Sequence, residues 1–439
     1  MAASPLAAKA VPVDASDAED AGGKPVAADA PIARAVPGRW TVFAVLMLAA
    51  LAINASQLKI AAITPQVAAA LGVDLTQTAL LTSIFTIAGV VLSIPGTFAM
   101  RAIGIRRMFL ALLACLFVGN ALGAFATTFP LMMASRVIEG FSCSLILPLG
   151  LSLISVLFDD PEASVASGTF SAATPLANFV IMNAALFLVD AFGGIQVVWW
   201  VLAGCSLACL ALVAAVVRGV DAQPDDAGAG ARTKGALEAL ADTYRNPALL
   251  LVCAGMFFLS FVVQGLVTCY AQVFMAYGLP EATANWYASL NGLFGIAIGV
   301  VSGAVVGKIG KPYLCAIAAG VLAIACSWYV GHIVAGTYVL CVLGTAATAG
   351  GVAMTSVFVL TPRLAGGPDR VPLATGLLNS CFYLGGLVTT PVLMALSGNG
   401  VSWTLPSYVL AGACALFACC VFASRRLGGA ELLRATERP

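Results

Sequence analysis

Three charged residues stand inside long apolar runs of this chain: Lys59, Arg136 and Glu139. A charge placed deep among apolar residues is expensive, so each should face a partner or a water-filled cavity. Arg136 and Glu139 are three apart, which on a helix puts them on one face where they can pair. That pair reads either as a structural ion pair or as a proton-coupling site, with Glu139 taking up a proton whenever Arg136 turns to a bound anion. Lys59 has no acidic residue within one turn, so it reads as an uncompensated positive charge. Two cations and one carboxylate together describe an anion-attracting site, with Lys59 and Arg136 as substrate-binding residues. Asn54, Gln57, Gln264 and Asn379 are polar candidates for the same site, and the competing reading is that such amides bond a neighbouring helix. Asn54 and Gln57 share a helical face, whereas Lys59 is turned about 200° from Gln57, so the two cannot point squarely into one cavity. The alternative for Lys59 is that its ammonium snorkels to the nearest interface.

Other chemistry has little support. The 13 cysteines fall almost entirely in apolar runs, without a Cys-x-x-Cys pair or a His-rich tract, so no metal site and no cofactor is expected. The single histidine, His332, falls at the end of a run and reads as a solvated loop residue. No G-x-x-x-x-G-K-[ST] loop occurs, and one His with one buried Glu does not make a nucleophile and its base, so an enzyme is not expected. Trp199, Trp200, Trp286 and Trp403 lie at run ends and read as interfacial anchors.

The elements that must hold these residues follow from composition. Hydrophobic residues make up 61% of the 439 and charged ones 9%, against roughly 25% charged in a soluble domain, so the excess apolar surface needs lipid to cover it. Apolar runs between polar breaks predict helices near 40–65, 76–100, 107–127, 130–156, 165–189, 194–217, 247–276, 282–306, 312–331, 336–361, 371–396 and 402–423. Apart from Lys59 and Arg136, every Lys and Arg falls on the tails or on alternate loops. The loops around Asp74, Thr128, Asp190, Glu281, His332 and Gly400 contain none, which predicts cytoplasmic termini in the plasma or inner membrane. The expected organisation is a disordered cytoplasmic tail over 1–38, a six-helix bundle over 39–218, a cytoplasmic linker over 219–246 with a surface helix at ALEALADTY, a second bundle over 247–426, and a tail over 427–439.

The two groups of six look like copies. At an offset of 206, Gln66 meets Gln272, Gly72 meets Gly278, Ser83 meets Ser289, Gly89 meets Gly295, and Ile103-Gly104 meets Ile309-Gly310. At 208, Gly168 meets Gly376, the run VLAG at Val201 recurs at Val409, and Arg218 meets Arg426.

These residues resemble the major facilitator superfamily. Its loop between helices 2 and 3 runs Gly, three residues, Asp, Arg, one residue, Gly, then basic residues, and PGTFAMRAIGIRR is similar, with Thr97 in the first Gly position and Arg101 in the Asp position. The second copy, GAVVGKIGK from Gly303, has Gly307 for that Asp. The helix 4 motif of the family is matched by RVIEG at Arg136 to Gly140, with Glu139 where Gln is more usual. The helix 5 pattern of the drug antiporters is replaced here by Thr174-Pro175 followed by Leu176, Ala177 and Asn178. The run NASQLKIAAITP is loosely similar to the cyanate and nitroimidazole carrier branch. The resemblance implies an all-α membrane protein of twelve transmembrane helices in two six-helix bundles. It implies gating loops at Arg101, Gly104, Arg106 and Arg107, and at Gly303, Gly307, Lys308 and Gly310. The implied activity is secondary transport of a small anion or small polar organic solute, with protons or exchange as the drive. Efflux of drugs or metabolites is the alternative carrier reading, and a membrane sensor or scaffold the alternative outside that class. The expected partners are a small-molecule substrate, the lipid bilayer and protons as coupling ion, with no nucleic acid.

Overall fold

The computed structural model describes residues 38–93, 95–96, 99, 103–158, 162–217, 244–366 and 370–429. Nearly all of the expected tails and of the expected linker, with its surface helix, lie outside these residues, as does Arg101. Twelve helices long and apolar enough to cross a bilayer run in order: α1 (Arg39–Ala62), α2 (Leu75–Leu92), α3 (Ile105–Ala124), α4 (Phe129–Ile154), α5 (Val165–Phe192), α6 (Gln196–Val216), α7 (Pro247–Ala276), α8 (Glu281–Ile309), α9 (Pro312–Tyr329), α10 (Tyr338–Leu364), α11 (Leu373–Leu396) and α12 (Thr404–Gly428). Each expected run overlaps one of them, with ends that differ by up to several residues. A helix is required at these lengths because hydrocarbon offers no partner to a free backbone N–H or C=O.

Departures from the expected runs have local causes. Helix α1 stops at Ala62, short of the expected 65, because Pro65 begins a separate turn of helix over Thr64–Leu71. The short connection to α2 closes with a capping box, in which Asp74 accepts from the Gln77 N–H at 2.6 Å and the Gln77 side chain accepts from the Asp74 N–H at 3.2 Å. Helix α10 widens to a π-helical stretch over Ala346–Ala353.

Helices α1 to α6 pack on one another, as do α7 to α12, and the two groups touch mainly along α2 with α11 and α5 with α8. The internal repeat is visible in the backbone. Gly72 and Gly278 both take positive φ (65° and 85°), as do Gly104 and Gly310 (92° and 65°), so each matched pair occupies backbone that favours glycine, although Gly104 opens α3 with ψ 150° and Gly310 closes α8 with ψ 6°. Gly89 and Gly295 lie at matched contacts between the halves, Gly89 against Tyr383 of α11 and Gly295 against Pro175 of α5.

The second half has one continuous apolar core. The first half has two, one holding Ile53, Leu116 and Cys143, the other Ala55, Ala124 and Met132. The stretch that separates them on α3 contains Asn120, and on α4 it contains Ser135, Arg136 and Glu139. A polar layer therefore divides the first bundle.

Candidate functional site

That polar layer is built around Glu139. Its Oε1 accepts from Lys59 Nζ at 2.8 Å and from the Ser135 hydroxyl at 3.2 Å, and its Oε2 pairs with Arg136 one turn back on α4. Lys59 Nζ also donates to Asn120 Oδ1 at 2.6 Å and faces the Trp199 ring at 4.4 Å from its centroid. Arg136 donates to three backbone carbonyls: Leu81 of α2 at 3.1 Å, and Ser56 and Gln57 of α1 at 2.7 and 3.1 Å. Its guanidinium lies 4.4 Å from the centroid of Phe85. Asn120 completes the layer by donating to Ser56 Oγ at 3.2 Å and to the Leu116 carbonyl at 2.9 Å.

Lys59, Arg136 and Glu139 are each 0% exposed, and they are the buried charged side chains among the described residues. Three glycines let the helices come close enough for that. A Cβ at Gly119 would run into Glu139, one at Gly123 into Trp199 and Ser135, and one at Gly140 into the Phe85 carbonyl. The cluster thus carries two cations on one carboxylate, a single excess positive charge sealed from water. Partner hydrogen bonds and two aromatic faces supply what stabilisation it has.

Several expectations are corrected by this geometry. Lys59 is not uncompensated, because the chain folds Glu139, 80 residues away, onto it. Nor does it snorkel: its ammonium points inward to α3, α4 and α6. Lys59 and Arg136 therefore do not offer an open anion site in this conformation. Glu139 as a free proton carrier also conflicts with the arrangement, since both oxygens are engaged and neutralising them would leave two buried cations unopposed. Trp199 and Trp403 are buried, at 0% and 2% exposure, whereas Trp200 and Trp286 are exposed as interfacial residues would be. Ser56, Asn120, Ser135 and Trp199 are site residues that sequence reasoning missed. Asn120 had a signal, a lone amide flanked by Gly119 and Gly123 in an apolar run.

The remaining candidates separate by location. Asn54 donates to the Ala50 carbonyl at 2.7 Å and accepts from the Thr174 hydroxyl at 3.0 Å, joining α1 to α5. Gln57 is half-buried, with its Oε1 3.5 Å from Cys143 Sγ of α4. Gln264 and Asn379 are half-buried in the second bundle and enter no side-chain hydrogen bond among the described residues. Among the gating candidates, Arg106 bonds the carbonyls of Ala214 and Val217 at the end of α6, Gly104 and Gly310 cap α3 and α8, and Arg107, Gly303, Gly307 and Lys308 are exposed. No described hydrogen bond carries these residues across to the other half.

Bonds between the halves gather at the opposite end, on the loops poor in Lys and Arg. Gln66 donates to both carboxylate oxygens of Glu281 at 2.9 Å, Asn285 donates to the Ala62 carbonyl at 2.8 Å, and Asn399 Oδ1 accepts from the Thr76 hydroxyl at 2.7 Å and its N–H at 3.1 Å. Beneath this seal a small pocket is lined by Thr82 of α2 and by Thr268, Cys269 and Gln272 of α7. A further bond between the halves, from Ser380 of α11 to the Val90 carbonyl of α2, is 3.4 Å long.

Compared with known proteins, residues 42–389 match the family model of the Major Facilitator Superfamily. The MFS-type transporter ppzB of Metarhizium majus (strain ARSEF 297) is 34% identical to this chain over 85 residues, which is 19% of each protein's length.

Proposed function

The chain belongs to the major facilitator superfamily, and from that premise we propose that it is a secondary active transporter of small polar organic solutes or small anions, working by alternating access in the plasma or inner membrane with both termini cytoplasmic. The observation that carries this reading is the one-sided seal. Hydrogen bonds that join the two like-oriented halves gather at the Glu281 end, where Gln66, Asn285 and Asn399 make them, with a longer one from Ser380 to the Val90 carbonyl further along α2 and α11. Rocking along the α2–α11 and α5–α8 contacts exchanges which end is closed, as in carriers built from repeats.

The substrate class follows from what the helices leave available. The buried charges are consumed in the polar layer, so Gln57, Gln264, Asn379 and Tyr383 offer hydrogen bonds without a fixed charge. The excess positive charge behind them favours a neutral or anionic solute over a cation. The similarity of NASQLKIAAITP to the cyanate and nitroimidazole carrier branch supports the same size class.

Purified protein in proteoliposomes tests this with labelled lactate, benzoate, nitrate, cyanate, lactamide and benzamide, and with benzylamine as the cationic comparison. Counterflow of at least one acid or amide and none of benzylamine is expected. Selective movement of benzylamine, or no counterflow of any probe, overturns the substrate class. Net movement outward instead of inward would select the efflux form of the same mechanism.

A further inference from the structure

The polar layer contains one more cation than anion, and only one of its members can relieve that imbalance. Arginine does not deprotonate in proteins. Protonating Glu139 would raise the buried charge from one positive unit to two. Loss of a proton from Lys59 leaves a neutral layer in which Arg136 and Glu139 still pair. The titratable or charged groups packed around Lys59 are Glu139 and Arg136 of α4; α1, α3 and α6 present Ser56, Asn120 and Trp199, none of which titrates in this range.

Both protonation states have hydrogen-bond partners. The ammonium is held by Glu139 Oε1 and Asn120 Oδ1 and faces the Trp199 ring. A neutral amine keeps two N–H groups, enough to donate to Glu139 Oε1 and Asn120 Oδ1 as the ammonium does.

We propose that Lys59 is the residue that binds and releases the coupling proton. In the releasing step one Nζ–H bond breaks, the electron pair stays on nitrogen, and the proton leaves to water admitted when the halves reorient. The reverse step reloads Lys59 from water on the other side. Because Arg136 holds the Ser56, Gln57 and Leu81 carbonyls, a change of charge on Lys59 acts on the α1–α2 segment that carries the seal. The proposal rests on the transporter reading, and its test separates the two.

Lys59→Arg keeps the charge but fixes it, while Lys59→Met removes the charge and leaves the Arg136–Glu139 pair. The first measurement needs no substrate: melting temperature in detergent from pH 5 to pH 10. The wild-type curve is expected to contain one proton's worth of pH dependence that both variants lack. Wild-type and Lys59→Arg curves that run parallel overturn the proposal even if transport is found. In proteoliposomes, Lys59→Arg should lose at least about tenfold of the accumulation driven by an imposed proton gradient, expressed relative to its own counterflow of the active probe. Lys59→Met should accumulate nothing and show a flat pH profile. Wild-type accumulation by either variant also overturns the assignment. If no probe moves but the melting curves differ as stated, the transport reading fails and the proton site stands.

Discussion

At the residue scale, the polar layer depends on one carboxylate. Glu139→Gln leaves Lys59 and Arg136 buried without an anion, and breaking a buried pair in this way costs about 3–5 kcal/mol. We expect a large drop in melting temperature and in yield, and a partial recovery on adding Lys59→Met, because the second change removes one of the stranded cations. A double-mutant cycle on melting temperature reads this coupling, and strictly additive losses would show that Glu139 does not hold both cations. The Arg136–Glu139 contact was legible in the sequence because a spacing of three on a helix is local geometry. The Lys59–Glu139 contact was not, because it joins α1 to α4 and no local spacing encodes which helices become neighbours. The same limit misplaced Trp199: a tryptophan at a run end fits both a lipid interface and a buried aromatic face, and only the position of Lys59 across the bundle decides between them.

At the element scale, the layer exists because α2, α3, α4 and α6 approach closely at glycines. Gly140 is the strictest case, since the atom a Cβ would strike is the Phe85 backbone carbonyl, which cannot rotate away as a side chain could. Gly140→Ala should therefore push α2 from α4, destabilise by about 1–3 kcal/mol as other overpacked positions do, and disturb the Arg136 bond to Leu81. Gly204→Ala on α6 meets open space and should leave the melting temperature within experimental error. Equal effects of the two substitutions would mean that helix propensity, not close approach, governs these sites. The helices themselves were legible from runs of apolar residues and from basic residues on alternate loops. Their interruptions were less so: Pro65 marked the end of α1 only to within a few residues, and nothing in AATAGGVA distinguishes a π-helical stretch from an ordinary turn of α-helix.

At the scale of the whole molecule, the contacts that matter are those that join the halves, and their polar members gather at the Glu281 end. Repeat symmetry, which the glycine pairs made visible in the sequence, fixes that α2 meets α11 as α8 meets α5, but it does not say which end is closed. That depends on side chains such as Gln66 and Glu281, whose pairing spans 215 positions. Gln66 presents only its amide N–H groups to the Glu281 carboxylate, so the seal is sensitive to the sign of charge placed there. Gln66→Glu puts two carboxylates face to face and should shift the population toward an open Glu281 end, whereas Gln66→Lys supplies a cation and should keep that end closed. Cys269, a native thiol buried in the pocket beneath the seal, reports the difference. A membrane-impermeant maleimide added from the Glu281 side, with peptide mapping to separate Cys269 from the other cysteines, should label it several-fold faster in Gln66→Glu than in wild type, and no faster in Gln66→Lys. Equal labelling in both variants would mean that loss of the amide, not charge at the seal, sets the balance. Unchanged labelling in both would place the controlling contact elsewhere, with Asn285 on the Ala62 carbonyl as the next one to break.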